Sequence, residues 1–175
     1  MNRDQFWSLI AEARVGLAEP SADNVAESAS AVLVRRPAAE IVRAAQPLWE
    51  LMAESYRAEL WAAAYLINGG ASDDGFEYFR GWLISQGREV FDQAVADPDA
   101  LAGMPAVMAA AEKGEDLDGE PVLGIAWNAY RQKTGEQLPA EAFTINYPPI
   151  TFGWDFEDTE EMRRHLPRLS HLYLE

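Results

Sequence analysis

The chain contains no cysteine. Structural disulfides, thiolate catalysis and cysteine-ligated zinc or iron–sulfur sites are thereby excluded. Histidine is almost as scarce: His165 and His171 are the only two. They lie about 240° apart around a helix axis, with Pro167 between them, so they cannot form the one-turn pair of a metal site. Neither has a neighbour that would make it an activated base, and Ser72 has no local triad partner. A His-dependent nucleophilic enzyme is not expected, and no residue is assigned a catalytic role. No strand leads into a Gly-rich phosphate loop, and no repeat or low-complexity tract occurs. The longest apolar run, Leu60 to Ile67, falls far short of the roughly 20 residues a membrane span needs. The opening residues, M-N-R-D-Q-F-W-S-L-I, show no basic stretch followed by an apolar one, so no signal peptide is expected. The reading is a cytoplasmic protein that does not engage a membrane.

Positive charge is also in short supply. Fourteen Lys and Arg face 29 Asp and Glu, for a net charge of −15. Residues 91–159 hold 3 basic and 13 acidic side chains, so the excess sits largely in the second half. Such a field repels nucleic acid and favours cationic partners. It also serves solubility. Arg35-Arg36 and Arg163-Arg164 are isolated pairs, not a nucleic-acid patch. What the chain does have is apolar and aromatic mass. Hydrophobic residues make up 49% of its 175 positions, with six Trp, six Tyr and seven Phe. That suits a single domain spanning 1–175, with a core that needs no staples.

The apolar spacing is helical nearly throughout. Phe6, Leu9, Ile10, Ala13 and Leu17 share one face, opposite Asp4, Ser8 and Glu12. Ser21 or Asp23 is placed to cap a second helix, with Val25, Ala29, Val32 and Leu33 inward. Pro37 starts a third, which Pro47 is expected to kink or break. Glu59 to Ile67 is apolar on almost every side and reads as the central helix, surrounded by the others. Asn68-Gly69 closes it in the left-handed conformation, and Ser72 or Asp73 caps the next helix. Phe76, Phe79 and Leu83 then share a face. Pro121 opens a helix that Gly135 and Pro139 close, and Asp158 caps a last one, interrupted at Pro167. The expected fold is an all-α, single-domain helical bundle. Residues 1–135 form its helical core, and 136–175 form an irregular Pro- and aromatic-rich belt with a terminal helix.

The segment from Trp61 to Ile84, W-A-A-A-Y-L-I-N-G-G-A-S-D-D-G-F-E-Y-F-R-G-W-L-I, resembles the hallmark of a bacterial family catalogued as a domain of unknown function, number forty-two forty. The N-terminal pattern, G-R-E-V-F-D-Q-A-V-A-D-P-D and the helix ending A-Y-R-Q-K-T-G extend the resemblance over roughly residues 1–130. It implies a family but no activity.

The strongest candidate site is the corner Ser72-Asp73-Asp74-Gly75. Two adjacent carboxylates at a helix start can bind a cation or simply favour the positive helix end. The calcium-loop pattern, with alternating acidic residues and a distal Glu, is missing, so no metal is assigned. Arg80, two turns on, can pair with Glu77 or with a carboxylate on another helix. Trp61, Tyr65, Tyr78 and Trp82 flank the corner, either as core or as the walls of a ligand pocket. Together with Asn68, Ser72, Asp73, Asp74 and Arg80 they make up the candidate pocket. The functional expectation is a non-catalytic binding or regulatory module. It would contact a basic protein through its acidic second half, with no cofactor and no nucleic acid. One alternative is a small-ligand binder or enzyme using the corner. The other is a nucleic-acid mimic that neutralises a basic protein. Oligomeric state is not legible.

Overall fold

The computed structural model describes residues 1–174, and no strand occurs among them. Eleven α-helices follow in order: α1 (Arg3–Arg14), α2 (Ala22–Val34), α3 (Ala38–Glu54), α4 (Ala58–Ile67), α5 (Asp73–Ser85), α6 (Arg88–Ala96), α7 (Pro105–Lys113), α8 (Glu120–Leu123), α9 (Ile125–Thr134), α10 (Thr159–His165) and α11 (Pro167–Tyr173). Two 3₁₀ segments, Pro98–Gly103 and Ala140–Ala142, link them. The fold is all-α, as the periodicity predicts.

Local chemistry sets most of the boundaries. Asn2 and Gln5 form a reciprocal capping box at the start of α1. Ser21 caps α2, and Asp158 accepts from two amides at the start of α10. Gly114 and Gly135 end α7 and α9 in the left-handed conformation that glycine adopts without a side-chain clash. Pro47 does not break α3, which runs on to Glu54 with Pro47 buried inside it. A proline costs the helix one amide donor and some crowding. Burial of Ile41, Leu48, Leu51 and Met52 on the same helix offsets that cost. The helix expected to open at Pro121 is instead two pieces, divided at Gly124.

One continuous core joins apolar side chains from α1 through α11. α4 lies within it. Leu60, Ala62, Ala63 and Ala64 are wholly buried, while Glu59 and Tyr65 keep contact with solvent. α4 packs against α5, α7, α11 and the first 3₁₀ segment. A helix apolar on nearly all sides has no other stable position. α2 packs on α1 and α9, α3 on α9, and α5 on α8. Residues 143–158 carry no regular helix. Their aromatic side chains Phe143, Tyr147, Trp154 and Phe156 lie on the outside of the core.

Candidate functional site

The corner between α4 and α5 is built from the backbone outward. Gly69 has φ +63° and Gly70 φ +135°, which lets the Gly70 amide reach back to the Tyr65 carbonyl at 2.8 Å. The Ser72 hydroxyl then accepts from the Gly75 amide at 3.2 Å and caps α5. Asp73 and Asp74 occupy the exposed first turn, where the helix dipole favours negative charge. Asn68 serves a different end. Its amide donates to the Leu117 carbonyl at 3.2 Å and its oxygen accepts from the Leu117 amide at 2.9 Å. It therefore acts as a short stretch of backbone and pins the acidic loop after α7. A second clamp sits at Gly119, whose amide donates to the Tyr78 carbonyl at 3.0 Å. A Cβ added at Gly119 would collide with the Trp82 backbone, and one at Gly81 with the Gly119 carbonyl. The loop thus lies directly against α5.

Arg80 does not face the two aspartates. It is 1% exposed, the largest fully buried side chain. Its guanidinium lies 4.6 Å from the Phe76 ring centre, 4.9 Å from that of Tyr147 and 5.1 Å from that of Tyr56. It donates to the carbonyls of Met52 and Phe76. Tyr56 and Tyr147 stack with centroids 4.5 Å apart. The link to a carboxylate is indirect, since the Tyr147 hydroxyl donates to Glu77 at 3.0 Å and also meets Arg80. Burial lowers the Arg80 pKa from its ordinary value, against the opposing pull of Tyr147 and Glu77. The same burial, aided by Glu77 and countered by Arg80, pushes the Tyr147 phenol up to about 12. Ring faces and carbonyl oxygens hold the cation here, in place of an ion pair.

The other candidate residues divide between two cavities and the core. Trp82 is buried, with its ring centre 5.3 Å from that of Phe79. Trp61 and Tyr65 line a cavity of about 430 Å³ beneath the belt. Tyr78 lines a different cleft, of about 640 Å³, bounded by α3, α5, α8, α9 and the belt. Glu77 and Glu120 stand beside it there. The negative charge of Glu120 is the main cause that raises the Tyr78 pKa, followed by desolvation, Asp74, a hydrogen bond to Glu120 and Glu77. The apolar walls include Trp49 and Phe143, stacked at 5.1 Å and 13°, and Trp127. The Trp127 indole donates to Gln137 at 3.0 Å, and Arg131 lies 5.2 Å from the Trp127 ring centre. No Lys, Arg, His, Ser or Thr lines this cleft. Among the described residues no group of three potential metal ligands gathers, and no helix is long and apolar enough to cross a membrane.

Sequence periodicity did not single out Trp49, Trp127, Phe143 or Glu120 as site residues. For the three rings the signal is aromatic weight at helical and belt positions, which reads equally well as core, and for Glu120 it is the acidic second half expected to meet a basic partner. The class defined at this point is an all-α protein with an acidic corner, a buried cation among aromatic rings, and two aromatic-walled cavities. A family model described as a protein of unknown function (DUF4240) matches residues 1–132, and the chain belongs to that family. No curated protein and no solved structure matches it.

Proposed function

We propose that the protein is a non-catalytic binding module that receives a lysine or arginine side chain of a basic protein partner in the cleft between α3, α5, α8 and α9. One observation carries this reading. The cleft joins a long apolar wall (Leu48, Trp49, Trp127, Leu138, Phe143) to a pair of carboxylates, Glu77 and Glu120, with no cation among its lining. A long basic side chain has the matching layout, an aliphatic stem with a charged end. The net charge of −15 supplies long-range attraction for such a partner. Lacking Ser, Thr, Lys and His, the cleft has no hydroxyl–imidazole or hydroxyl–amine pair of the triad kind.

The test is fluorescence anisotropy with a labelled lysine-rich peptide. Glu77→Gln with Glu120→Gln, which keeps the hydrogen-bonding shape, should weaken binding about tenfold and flatten its salt dependence. Neutralising Glu112 and Glu115, which lie outside the cleft, should do much less. Equal effects from the two pairs would mean that net charge alone attracts the peptide, and the cleft reading would fall.

A further inference from the structure

The second cavity points to a different ligand, independently of the cleft. Its walls are Trp61 and Tyr65 from α4 and Phe152, Trp154 and Phe156 from the belt, with Asp155 and Glu157 at the same opening. Its rings meet one another at steep angles. Trp61 meets Phe152 at 74°, Phe152 meets Phe156 at 84°, Trp154 meets Phe156 at 62° and Tyr65 meets Phe156 at 56°. The centroid distances are 5.3, 5.4, 5.8 and 5.9 Å. Rings at these angles turn their faces in several directions and form the walls of an open-sided box. The stacked pairs lie outside it and brace it. Trp61 rests on Phe76 at 18°, and Trp154 rests on His165 at 3.8 Å and 5°.

The indole N–H groups of the box are already committed. The Trp61 indole donates to the Ala71 carbonyl at 2.9 Å, and the Trp154 indole donates to the Met162 sulfur at 3.3 Å. Both indoles are therefore fixed in orientation, and neither N–H remains for a ligand. What the cavity offers is ring faces of negative quadrupole and two carboxylates. Arg80 and Arg131 direct their cation–π contacts to Tyr56, Phe76, Tyr147 and Trp127. Phe152 is 49% exposed, so one ring of the box stands open to solvent.

We infer that this box binds a small quaternary ammonium compound, the methylated nitrogen seated among Trp61, Phe152, Trp154 and Phe156 and its charge matched by Asp155 and Glu157. A methylated ammonium has no N–H to satisfy and holds its water loosely, so ring faces and nearby carboxylates can replace its hydration at modest cost. A primary ammonium holds its water more tightly and would recover only part of it from Asp155 and Glu157. The volume of about 430 Å³ lies within the range of small-molecule sites. The carboxylate pair disfavours zwitterions that carry their own carboxylate close to the nitrogen.

The experiment titrates the full-length protein with choline and tetramethylammonium and reads tryptophan fluorescence and calorimetric heat. Both cations should bind saturably. 3,3-Dimethylbutan-1-ol, which has the shape of choline but no charge, should bind about fivefold or more weakly, and so should ammonium. Phe152→Ala, at a half-exposed position, should leave the melting temperature nearly unchanged and weaken choline binding by a similar factor. Asp155→Asn with Glu157→Gln should weaken it less and reduce its salt dependence. Failure of choline to bind at millimolar concentration would overturn the proposal. So would equal binding of the neutral isostere, indifference to Phe152→Ala, or binding of a trimethyl-lysine peptide without binding of choline.

Discussion

Arg80 shows how a charge can be buried without a direct carboxylate partner. Three ring faces and two backbone carbonyls surround it, and Tyr147 relays it to Glu77. Lysine cannot reproduce the planar stacking, so Arg80→Lys should cost about 1–3 kcal/mol in urea titration despite the conserved charge. Tyr147 carries a pH signature. Its phenol is raised to about 12 in the folded protein, as is that of Tyr173, in both cases chiefly by burial. An unfolded tyrosine ionises near 10. Between those values the unfolded chain releases protons that the folded one keeps, so stability present below pH 10 is lost as pH rises toward 12. Melting temperatures measured from pH 8 to 12 should fall more gently in Tyr147→Phe than in the parent. The corner aspartates contrast with these buried groups. Because Ser72 is the cap, Ser72→Ala should cost about 1 kcal/mol. Asp73→Asn should lose only a dipole contribution of about 0.3–1 kcal/mol. A larger loss for Asp73→Asn, measured by denaturant titration, would mean that the carboxylate has a buried partner.

Elements in this protein are tied together by polar groups that reach across from distant segments. Asp99, nearly buried in the first 3₁₀ segment, accepts from the Arg168 and Leu169 amides at 2.9–3.1 Å and so caps α11 from outside it. Asp99→Ala would strand those amides and should cost about 1–3 kcal/mol in denaturant titration. The acidic loop is held by Asn68 on one side and by the close approach of Gly119 to α5 on the other. Gly119→Ala forces the loop off the helix and should cost about 1–3 kcal/mol. It should also disturb the cleft, because Glu120 follows directly. Asn68 and Gly81 both serve the seating of a loop roughly forty to fifty residues further on.

The molecule as a whole is a helical core wrapped by a belt, under a net charge of −15. Several of its ion pairs are exposed, as between Arg88 and Asp4. Unpaired carboxylates therefore repel one another across the surface. Added sodium chloride screens that repulsion over about 10 Å at 0.1 M. The melting temperature should rise between low and physiological salt, and a fall would show that attractive pairs outweigh the repulsion. The same screening should weaken the cleft's attraction for a basic peptide, so affinity and stability should move in opposite directions.

Helix positions, caps and the central place of α4 were legible in the sequence, because they follow from local spacing: period 3.6, Ser and Asp before helices, Gly after them. The all-α class follows from that alone. The break at Gly124 and the survival of α3 through Pro47 did not, since both depend on what the neighbouring helices bury. The candidate pocket around Ser72 was read from proximity along the chain. In the folded protein its residues point four ways: Ser72 to a cap, Asn68 to a loop, Arg80 into the core, and Tyr78, Trp61 and Tyr65 to two separate cavities. Neighbours on a helix diverge by about 100° per residue, so nearness in sequence does not make a shared site. Which rings form a box and which fill space depends on angles between side chains from α4 and from a belt some ninety residues later. No local pattern encodes such angles, and only the packed tertiary structure sets them.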